Sequence, residues 1–308
     1  MSIISNLMKK ALIIAFMALA NILVTNAQKR IELTSDIPYR TGESKSWVLD
    51  IASPANFGEE GLRPAIVIVH GGAWSAGSKT DAVYRDLLIY YALQGYVTLS
   101  VEYRFVQEAP FPACISDVKC AVRWLKAHAK ELRVDPERIG VYGHSAGAHL
   151  SLMLACSADN KELEGDGPWQ EFSSSVTCAA AGAPPTEIGN PNIPWAKHPE
   201  WWPIGYFTPK AAPMLILQGY EDPLVREKLT TDYVQKMQKA GWTAVKAENV
   251  DAPVFTDFPM TMECRILRKI DESEEGYYIV AEIVNILVDE KYLGEDGKPD
   301  VSKMGLIT

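Results

Sequence analysis

The alternation of strand-like and helix-like segments between Arg30 and Ala240 constrains the fold more than any other feature of this sequence. Ala65–Val69 is an unbroken apolar run, as expected of a strand buried on both faces of a sheet. Such alternation is typical of a mainly parallel sheet covered by helices, so we predict an α/β fold. The predicted strands are Arg30–Arg40, Ser46–Ile51, Ala65–Val69, Tyr96–Tyr103, Arg138–Tyr142, Val176–Ala181 and Met214–Leu217, and the predicted helices are Thr80–Leu93, Ser116–Leu132, one from Ser145 and one over Leu229–Ala240.

Apolar residues recur at helical spacing in the segment Ser116–Leu132, which predicts an amphipathic helix. Lys119, Arg123 and Lys126 fall between the apolar positions, so we expect these three side chains to face solvent. A later stretch, Pro184–Pro209, is rich in proline and tryptophan. It is predicted to be a loop or small cap over a site.

The N-terminus has the pattern of a secretory signal peptide. Lys9 and Lys10 precede the apolar run Ala11–Val24, and the small residues of Thr25–Ala27 lead to a predicted cleavage site. A membrane-anchor helix is the alternative, but the apolar run is shorter than the ~20 residues that span a bilayer. We predict that residues 1–27 are removed and that the mature chain is exported to the periplasm or the medium, with no membrane attachment.

The composition bears on partners and metals. The formal net charge of the 308-residue chain is −9, which argues against a nucleic-acid partner because phosphate binding requires clustered Lys and Arg. The five cysteines are odd in number, and none lie at zinc-ligand or redox-pair spacing. We predict buried free thiols and no metal site. The cysteines are Cys114, Cys120, Cys156, Cys178 and Cys264.

The strongest chemical signal is the Gly-X-Ser-X-Gly sequence at 143–147, between a predicted strand and a predicted helix. Small residues are needed around a nucleophile on such a sharp strand-to-helix turn, because the backbone there packs closely. Ser145 is therefore the predicted nucleophile. The start of the following helix stabilises negative charge that develops beside it.

A second signal follows the predicted buried strand, where His70 is succeeded by two glycines, Ala73 and Trp74. Glycines at this position allow backbone N–H groups to turn toward a substrate carbonyl oxygen. The N–H groups of Gly72, Ala73 and Ala146 are the predicted donors of an oxyanion hole. A plain glycine turn after a strand is the alternative interpretation.

With these motifs, the chain from about Ile31 to Val245 resembles the α/β-hydrolase-fold esterases that carry a His-Gly-Gly oxyanion motif. Asp117–Trp124 and Asp135–Ile139 extend the match. Exported bacterial members that cut acetyl or feruloyl esters of plant polysaccharides are the most similar. The resemblance implies a doubly wound, mainly parallel sheet, an ester of a small molecule or polysaccharide as substrate, and no metal or organic cofactor.

The family order of a catalytic triad is Ser, then the acid, then His. Asp222 matches the acid position after the strand Met214–Leu217, with Glu221 as the alternative. No histidine follows His198, so the general base is unassigned. His149, one helical turn beyond Ser145, and His198, in the predicted cap, are the candidates for a substitute.

The pattern changes after about Lys246, where the alternation of helices and strands ends. Residues 246–308 resemble the C-terminal half of a flavoredoxin-type flavin reductase, which belongs to a split barrel that binds FMN. The resemblance is carried by Asp251–Pro253, Phe258–Cys264, Glu282–Val284 and Asp289–Pro299. The flavin-contacting half of that family is absent here, so no residue is assigned to FMN and no cofactor is expected.

These observations predict three segments: a signal peptide at 1–27, an α/β-hydrolase domain without its terminal histidine loop at 28–245, and a β-rich reductase-like fragment at 246–308. The expected function is that of a serine carboxylesterase acting on acyl esters of carbohydrates, impaired unless another group replaces the missing histidine. A catalytically inactive hydrolase fold that binds an ester or glycan, and an FMN protein acting through the tail, are the two alternatives. The oligomeric state is not indicated.

Overall fold

The computed structural model of the chain describes residues 31–55, 61–158, 160–186, 198–208 and 210–217 without interruption. Beyond these it describes 235, 238–239, 241, 243–249, 253–255, 260–273, 276–288, 290–295 and 297–298. The predicted signal peptide lies outside the described residues, as does most of the predicted helix Leu229–Ala240.

A seven-stranded sheet with the strand order β1-β2-β4-β3-β5-β6-β7 forms the centre of the fold. β1 and β2 pair antiparallel, as do β2 and β4, whereas every pair from β4 to β7 is parallel. The predicted α/β architecture is therefore confirmed. The strands are β1 (Ile31–Pro38), β2 (Val48–Pro54), β3 (Arg63–Val69), β4 (Val97–Val101), β5 (Val134–His144), β6 (Cys178–Gly182) and β7 (Met214–Leu217).

Four helices connect or follow these strands: α1 (Ala82–Leu93), α2 (Ala113–Ala127), α3 (Ala146–Cys156) and the short α4 (Lys161–Glu164). α1 buries Tyr84, Leu88 and Ala92, which are spaced by four residues and therefore share one face. α2 and α3 are buried almost throughout. β3 lies between β4 and β5, which explains why its apolar run is continuous.

The prediction that the charged side chains of α2 face solvent is wrong for two of them. Lys119 and Arg123 are 0% and 1% exposed. The Lys119 ammonium donates to the Ser157 carbonyl (2.6 Å), to Glu164 Oε1 (2.8 Å) and to Ser174 Oγ (3.1 Å). Arg123 pairs with the other oxygen of Glu164. α4 and the loop after it cover this face of α2, and they supply the acceptors that make a buried cation tolerable.

The strands after residue 243 form two separate antiparallel sheets. β8 (Ala244–Lys246) pairs with β9 (Pro253–Phe255), and β10 (Met260–Ser273) pairs with β11 (Gly276–Val288). The predicted β-character of this region is confirmed. β8 does not extend the seven-stranded sheet, which ends at β7 in the described residues. That the region is a reductase-like fragment stays a prediction.

Neither a membrane-spanning helix nor a metal-binding cluster is found in the described part of the chain. None of its helices is both long enough and apolar enough to cross a bilayer. No group of three or more His, Cys, Asp or Glu side chains is arranged there to hold a metal ion. Cys114 and Cys120 are buried free thiols, as predicted, whereas Cys156 and Cys178 form no disulfide but are only partly buried. The side chain of Cys264 lies outside the described residues.

Candidate active site

Ser145 makes the turn between β5 and α3 by itself. β5 ends at His144 and α3 begins at Ala146, and Ser145 has φ 54° and ψ −121°. Positive φ is rare for a residue with a side chain and is maintained only where the surroundings impose it. Here the Ser145 N–H donates to the Gly182 carbonyl (2.8 Å), and its own carbonyl accepts from the His149 N–H (3.0 Å). The predicted nucleophile therefore has the backbone geometry expected of a sharp strand-to-helix turn.

The glycines on either side of Ser145 allow this turn to pack against the sheet. A Cβ at Gly147 would collide with the carbonyl oxygen of Val69, at the end of β3. A Cβ at Gly143 would collide with the carbonyl group of Gly147. The Gly-X-Ser-X-Gly pattern thus reflects two close backbone approaches, one to β3 and one within the turn.

A second tight turn, Gly71–Trp74, lies directly beside Ser145; it is called the glycine turn below. A Cβ built on Gly71 would lie 3.4 Å from Cβ of Ser145. Gly72, Ala73 and Trp74 all have positive φ, at 116°, 51° and 57°. For Ala73 and Trp74 this backbone is strained, by about 1–3 kcal/mol each. Strain of this kind accumulates where a site requires a particular backbone direction.

The backbone N–H groups of Gly72, Ala73 and Ala146 lie near Ser145 and have no acceptor in the described residues. Those of Gly72 and Ala73 are absent from the hydrogen bonds of the turn, in which the Gly72 carbonyl accepts from Ser75 and Ala76. The N–H of Ala146 belongs to the first residue of α3, where no intrahelical acceptor exists. The three predicted oxyanion donors therefore lie near Ser145 without a described acceptor, and their role as donors stays a prediction.

A buried polar network supports the glycine turn from behind. His70 is fully buried, stacks on Tyr103 at 4.3 Å, and places Nδ1 2.7 Å from the Gly71 carbonyl oxygen. Its Nε2 lies 3.0 Å from Glu102 Oε1. Burial raises the pKa of Glu102, but hydrogen bonds from His70, Lys79 and other donors outweigh it, so the pKa is below its ordinary value. His70 is thus structural in this site.

Tyr84 contacts the glycine turn from α1. Its hydroxyl oxygen accepts a hydrogen bond from the Gly71 N–H at 2.7 Å, and burial raises the pKa of the phenol. The Gly71 N–H is thereby held away from the site, while the next two N–H groups stay unpaired. The sequence motifs did not single out Tyr84, although its i, i+4, i+8 spacing with Leu88 and Ala92 places it on the buried face of α1.

His149 is poorly suited to act as a general base. Its Nδ1 accepts from the Trp74 indole N–H (3.2 Å), and its Nε2 donates to the Trp201 carbonyl (2.8 Å). Both ring nitrogens are therefore occupied. Burial lowers the pKa of His149 to about 4, although the bond to Trp201 acts in the opposite direction. A base with this pKa has little affinity for a proton at neutral pH.

His198 lies at the start of the 3-10 turn Pro199–Trp201, in the predicted cap. Its ring stacks on Trp201 at 4.1 Å, and Nδ1 lies 2.7 Å from Glu200 Oε1. The described part of the predicted cap packs on residues near Ser145, since Trp202 meets Trp74 edge-on at 6.0 Å and the Trp201 carbonyl accepts from His149. That it covers the site stays a prediction. No described residue is hydrogen-bonded to Ser145 Oγ. The predicted acid Asp222 and its alternative Glu221 lie outside the described residues.

Comparison with known proteins supports the assignment of an α/β fold with a mainly parallel sheet. The family model BD-FAE matches residues 49–193, which include the glycine turn and Ser145. Esterase LipQ of Mycobacterium tuberculosis is 29% identical over 258 residues, which is 76% of this chain and 60% of LipQ. Carboxylesterase NlhH of the same organism is 43% identical over 94 residues, 30% of this chain and 28% of NlhH. The chain thus covers less than two thirds of the length of either relative.

Two solved structures share the architecture. A truncated form of a carbohydrate esterase from gut microbiota superposes with a TM-score of 0.60, at 24% identity, over 68% of this chain and 84% of that one. Esterase 2 of Thermogutta terrifontis, phosphorylated by paraoxon, gives a TM-score of 0.57 at 28% identity, over 68% of this chain and 78% of that one. The chain therefore has the α/β-hydrolase fold of these esterases.

Proposed function

We propose that this chain is a serine carboxylesterase that hydrolyses acyl esters of carbohydrates. The observation that carries the proposal is the position of Ser145, in a strained turn beside the unpaired N–H groups of Gly72, Ala73 and Ala146. This arrangement matches what acyl transfer requires, namely a nucleophile and donors directed to one carbonyl group. The names of the relatives, esterase and carboxylesterase, agree with it.

In the proposed reaction, Ser145 Oγ attacks the ester carbonyl carbon and loses its proton to a general base. The tetrahedral oxyanion accepts hydrogen bonds from the three N–H groups and from the positive end of α3. Collapse breaks the ester C–O bond and expels the sugar alkoxide, which takes the proton from the base and leaves as an alcohol. The acyl-serine that remains is hydrolysed by water. Removing one oxyanion donor typically costs ~10²–10³ in kcat, so these amides are central to the proposal.

The proposed acid is Asp222, on the strength of its place after β7. The base is open: His149 is disfavoured by its occupied nitrogens, and His198 is the remaining candidate in the cap. If His198 is the base, His198→Ala lowers ester turnover as much as loss of a triad member does, by about 10³-fold or more. Unchanged turnover would exclude it.

The carbohydrate part of the proposal rests on the sequence resemblance and on aromatic side chains at the cap. Trp201 is partly exposed next to the site, and flat indole faces of this kind stack on sugar rings. A carbohydrate esterase shares the fold. We further propose that the mature chain acts outside the cytoplasm on a small-molecule or polysaccharide ester, following the signal pattern of residues 1–27.

Turnover of p-nitrophenyl acetate by the purified chain tests the proposal, with Ser145→Ala and Ser151→Ala compared in parallel. Ser151 is a buried serine of α3, and among the described residues its hydroxyl bonds only to the Gly147 carbonyl, so it is a matched control. We expect Ser145→Ala to abolish turnover and Ser151→Ala to retain it. Equal turnover in wild type and Ser145→Ala would rule out the proposed nucleophile.

A second candidate is a hydrolase fold that binds an ester or glycan without cleaving it. It is favoured by one sequence observation, that no histidine follows the predicted acid Asp222. Saturable binding of acetylated oligosaccharide without turnover would support this candidate. The third candidate is a protein that binds FMN through residues 246–308. It predicts that the protein stays yellow, with an absorbance spectrum near that of free flavin, after FMN is added and the excess is removed.

A further inference from the structure

A small apolar cavity lies beside the proposed nucleophile. Seven residues line it: Trp74, Val106, Phe111, Cys114, His149, Trp201 and Trp202. Trp74 directly follows the donor Ala73, and His149 is bonded through its N–H to the Ser145 carbonyl (3.0 Å). The walls of the cavity therefore begin one residue from the proposed oxyanion donors and one helical turn from Ser145. We call this cavity the aromatic pocket.

The walls of the aromatic pocket are held in fixed positions. The rings of Trp74 and His149 meet edge-on at 5.1 Å, with the indole N–H of Trp74 bonded to the imidazole. Trp202 packs edge-on against both, at 6.0 and 5.2 Å, and Phe111 lies 5.1 Å from Trp201. Interlocked aromatic rings with a shared hydrogen bond do not adapt easily to a larger guest.

The free volume in the aromatic pocket is about 20 Å³. That is close to the space of a single water molecule, but the lining has almost no polar atoms with which to hold water. A methyl group is the organic group of this size that such a lining favours. A feruloyl ring or a chain of several carbons would need at least one aromatic wall to move.

We infer that the aromatic pocket receives the acyl group of the substrate and limits it to acetyl. The inference rests on the proposed function and makes it specific, because it selects acetyl over feruloyl among the esters that the sequence resemblance suggests. The aromatic walls determine specificity through their size, while Ser145 and the backbone amides carry out the chemistry.

The test is a series of p-nitrophenyl esters with one leaving group and different acyl groups: acetate, propionate, butyrate and ferulate. One misplaced methylene in an apolar pocket changes kcat/KM by about tenfold or more. We expect kcat/KM to fall by about that factor at each step from acetate to butyrate, and the ferulate ester to show no measurable turnover.

Trp202→Leu enlarges the aromatic pocket without removing a described hydrogen bond, because the indole Nε1 of Trp202 has no acceptor in the described residues. The butyrate-to-acetate ratio of kcat/KM is expected to rise by about tenfold. Phe111→Leu enlarges the same cavity from another side, and it replaces the first variant if that one does not fold. Trp169→Leu removes a partly buried tryptophan outside the pocket, whose indole N–H donates to the Tyr39 carbonyl, and its ratio should equal that of wild type.

The outcomes separate the two proposals. Acetate selectivity that relaxes in Trp202→Leu or Phe111→Leu, but not in Trp169→Leu, supports the acetyl pocket. Butyrate or ferulate cleaved as fast as acetate, or selectivity unchanged in both pocket variants, overturns it and makes the cavity a packing gap. A folded chain that cleaves none of the esters contradicts the proposed function, and the acyl pocket with it.

Discussion

The seven-stranded sheet and the C-terminal strands β8–β11 are built in different ways. In the sheet, β3 and β5 each pair with a neighbour on both sides, and helices cover their faces. In the C-terminal region, β10 and β11 are longer than any strand of the sheet, yet each pairs only with the other. One backbone edge of each therefore has no strand partner in the described residues. A two-stranded ribbon is marginally stable by itself in water.

This difference bears on which part of the molecule holds the proposed catalytic groups. The nucleophile and the three amides are positioned by β3, β5, α1 and α3, which all lie in the sheet region. The predicted acid Asp222 follows β7, where the chain leaves the seven-stranded sheet, and the base is unassigned, with His198 of the cap as the remaining candidate. In the described residues, the glycine turn and the turn at Ser145 contact each other, and the backbone hydrogen bonds of Ser145 involve only Gly182 and His149, which both precede β7.

Amide hydrogen exchange tests whether the seven-stranded sheet and the strands β10 and β11 differ in stability. Peptides from β3 and β5 should exchange only by global unfolding, which for a domain requires ~5–15 kcal/mol. Peptides from β10 and β11 should open separately, with an opening free energy lower by several kcal/mol. Uniform protection across both regions would show that the two form one cooperative unit.

Within the seven-stranded sheet and its helices, the buried ion pairs of α2 are expected to make the next largest contribution to the free energy of unfolding. Lys119→Met leaves Glu164 and the Ser157 carbonyl with a lost donor, and should lower the free energy of unfolding by ~3–5 kcal/mol. Lys126→Met is the matched control, because Lys126 is half-buried and bonds only to Ser175 Oγ. Urea titration followed by circular dichroism measures both. If both substitutions lower the free energy of unfolding by a similar, small amount, the buried hydrogen bonds of Lys119 do not stabilise the fold as proposed.

His149 should make the sheet region sensitive to acid. Its pKa is about 4 in the folded chain and near 6.5 when unfolded, so the unfolded state binds more protons between these values. Stability due to this group is complete above pH 6.5 and is lost as the pH falls toward 4, by about 3 kcal/mol in total. His149→Gln keeps an acceptor and a donor but cannot titrate. Denaturant titrations at pH 7, 5.5 and 4.5 should show a smaller acid loss in this variant, and equal losses would contradict the assignment.

Tyr84→Phe tests the support of the glycine turn and has the smallest expected effect. It removes the acceptor of the Gly71 N–H, which costs ~1–3 kcal/mol when the donor stays buried. Since the turn directs the proposed oxyanion donors, kcat should fall about tenfold or more while KM changes little. Tyr90→Phe, an exposed tyrosine of the same helix, is the control. A change confined to KM would indicate that Tyr84 affects binding and not the oxyanion donors.

The sequence predicted the fold and the sharp turn at Ser145 because both depend on local patterns. Apolar runs gave the strands to within a few residues, and the glycines around Ser145 mark close backbone contacts that only glycine permits. The burial of Lys119 and Arg123 was missed because it depends on Glu164, about forty residues away. The aromatic pocket joins residues from 74 to 202, and no periodicity in the sequence indicates such a long-range cluster.

The central claim is that Ser145 is an activated nucleophile in a formed oxyanion site. Intact-mass spectrometry after incubation with a fluorophosphonate tests it most directly, since this reagent needs no particular acyl or sugar group. We expect one stoichiometric fluorophosphonate adduct, mapped to the peptide that contains Ser145. The adduct should be absent in Ser145→Ala and present in Ser151→Ala. A folded chain that acquires no adduct, or acquires it equally in Ser145→Ala, would contradict the claim.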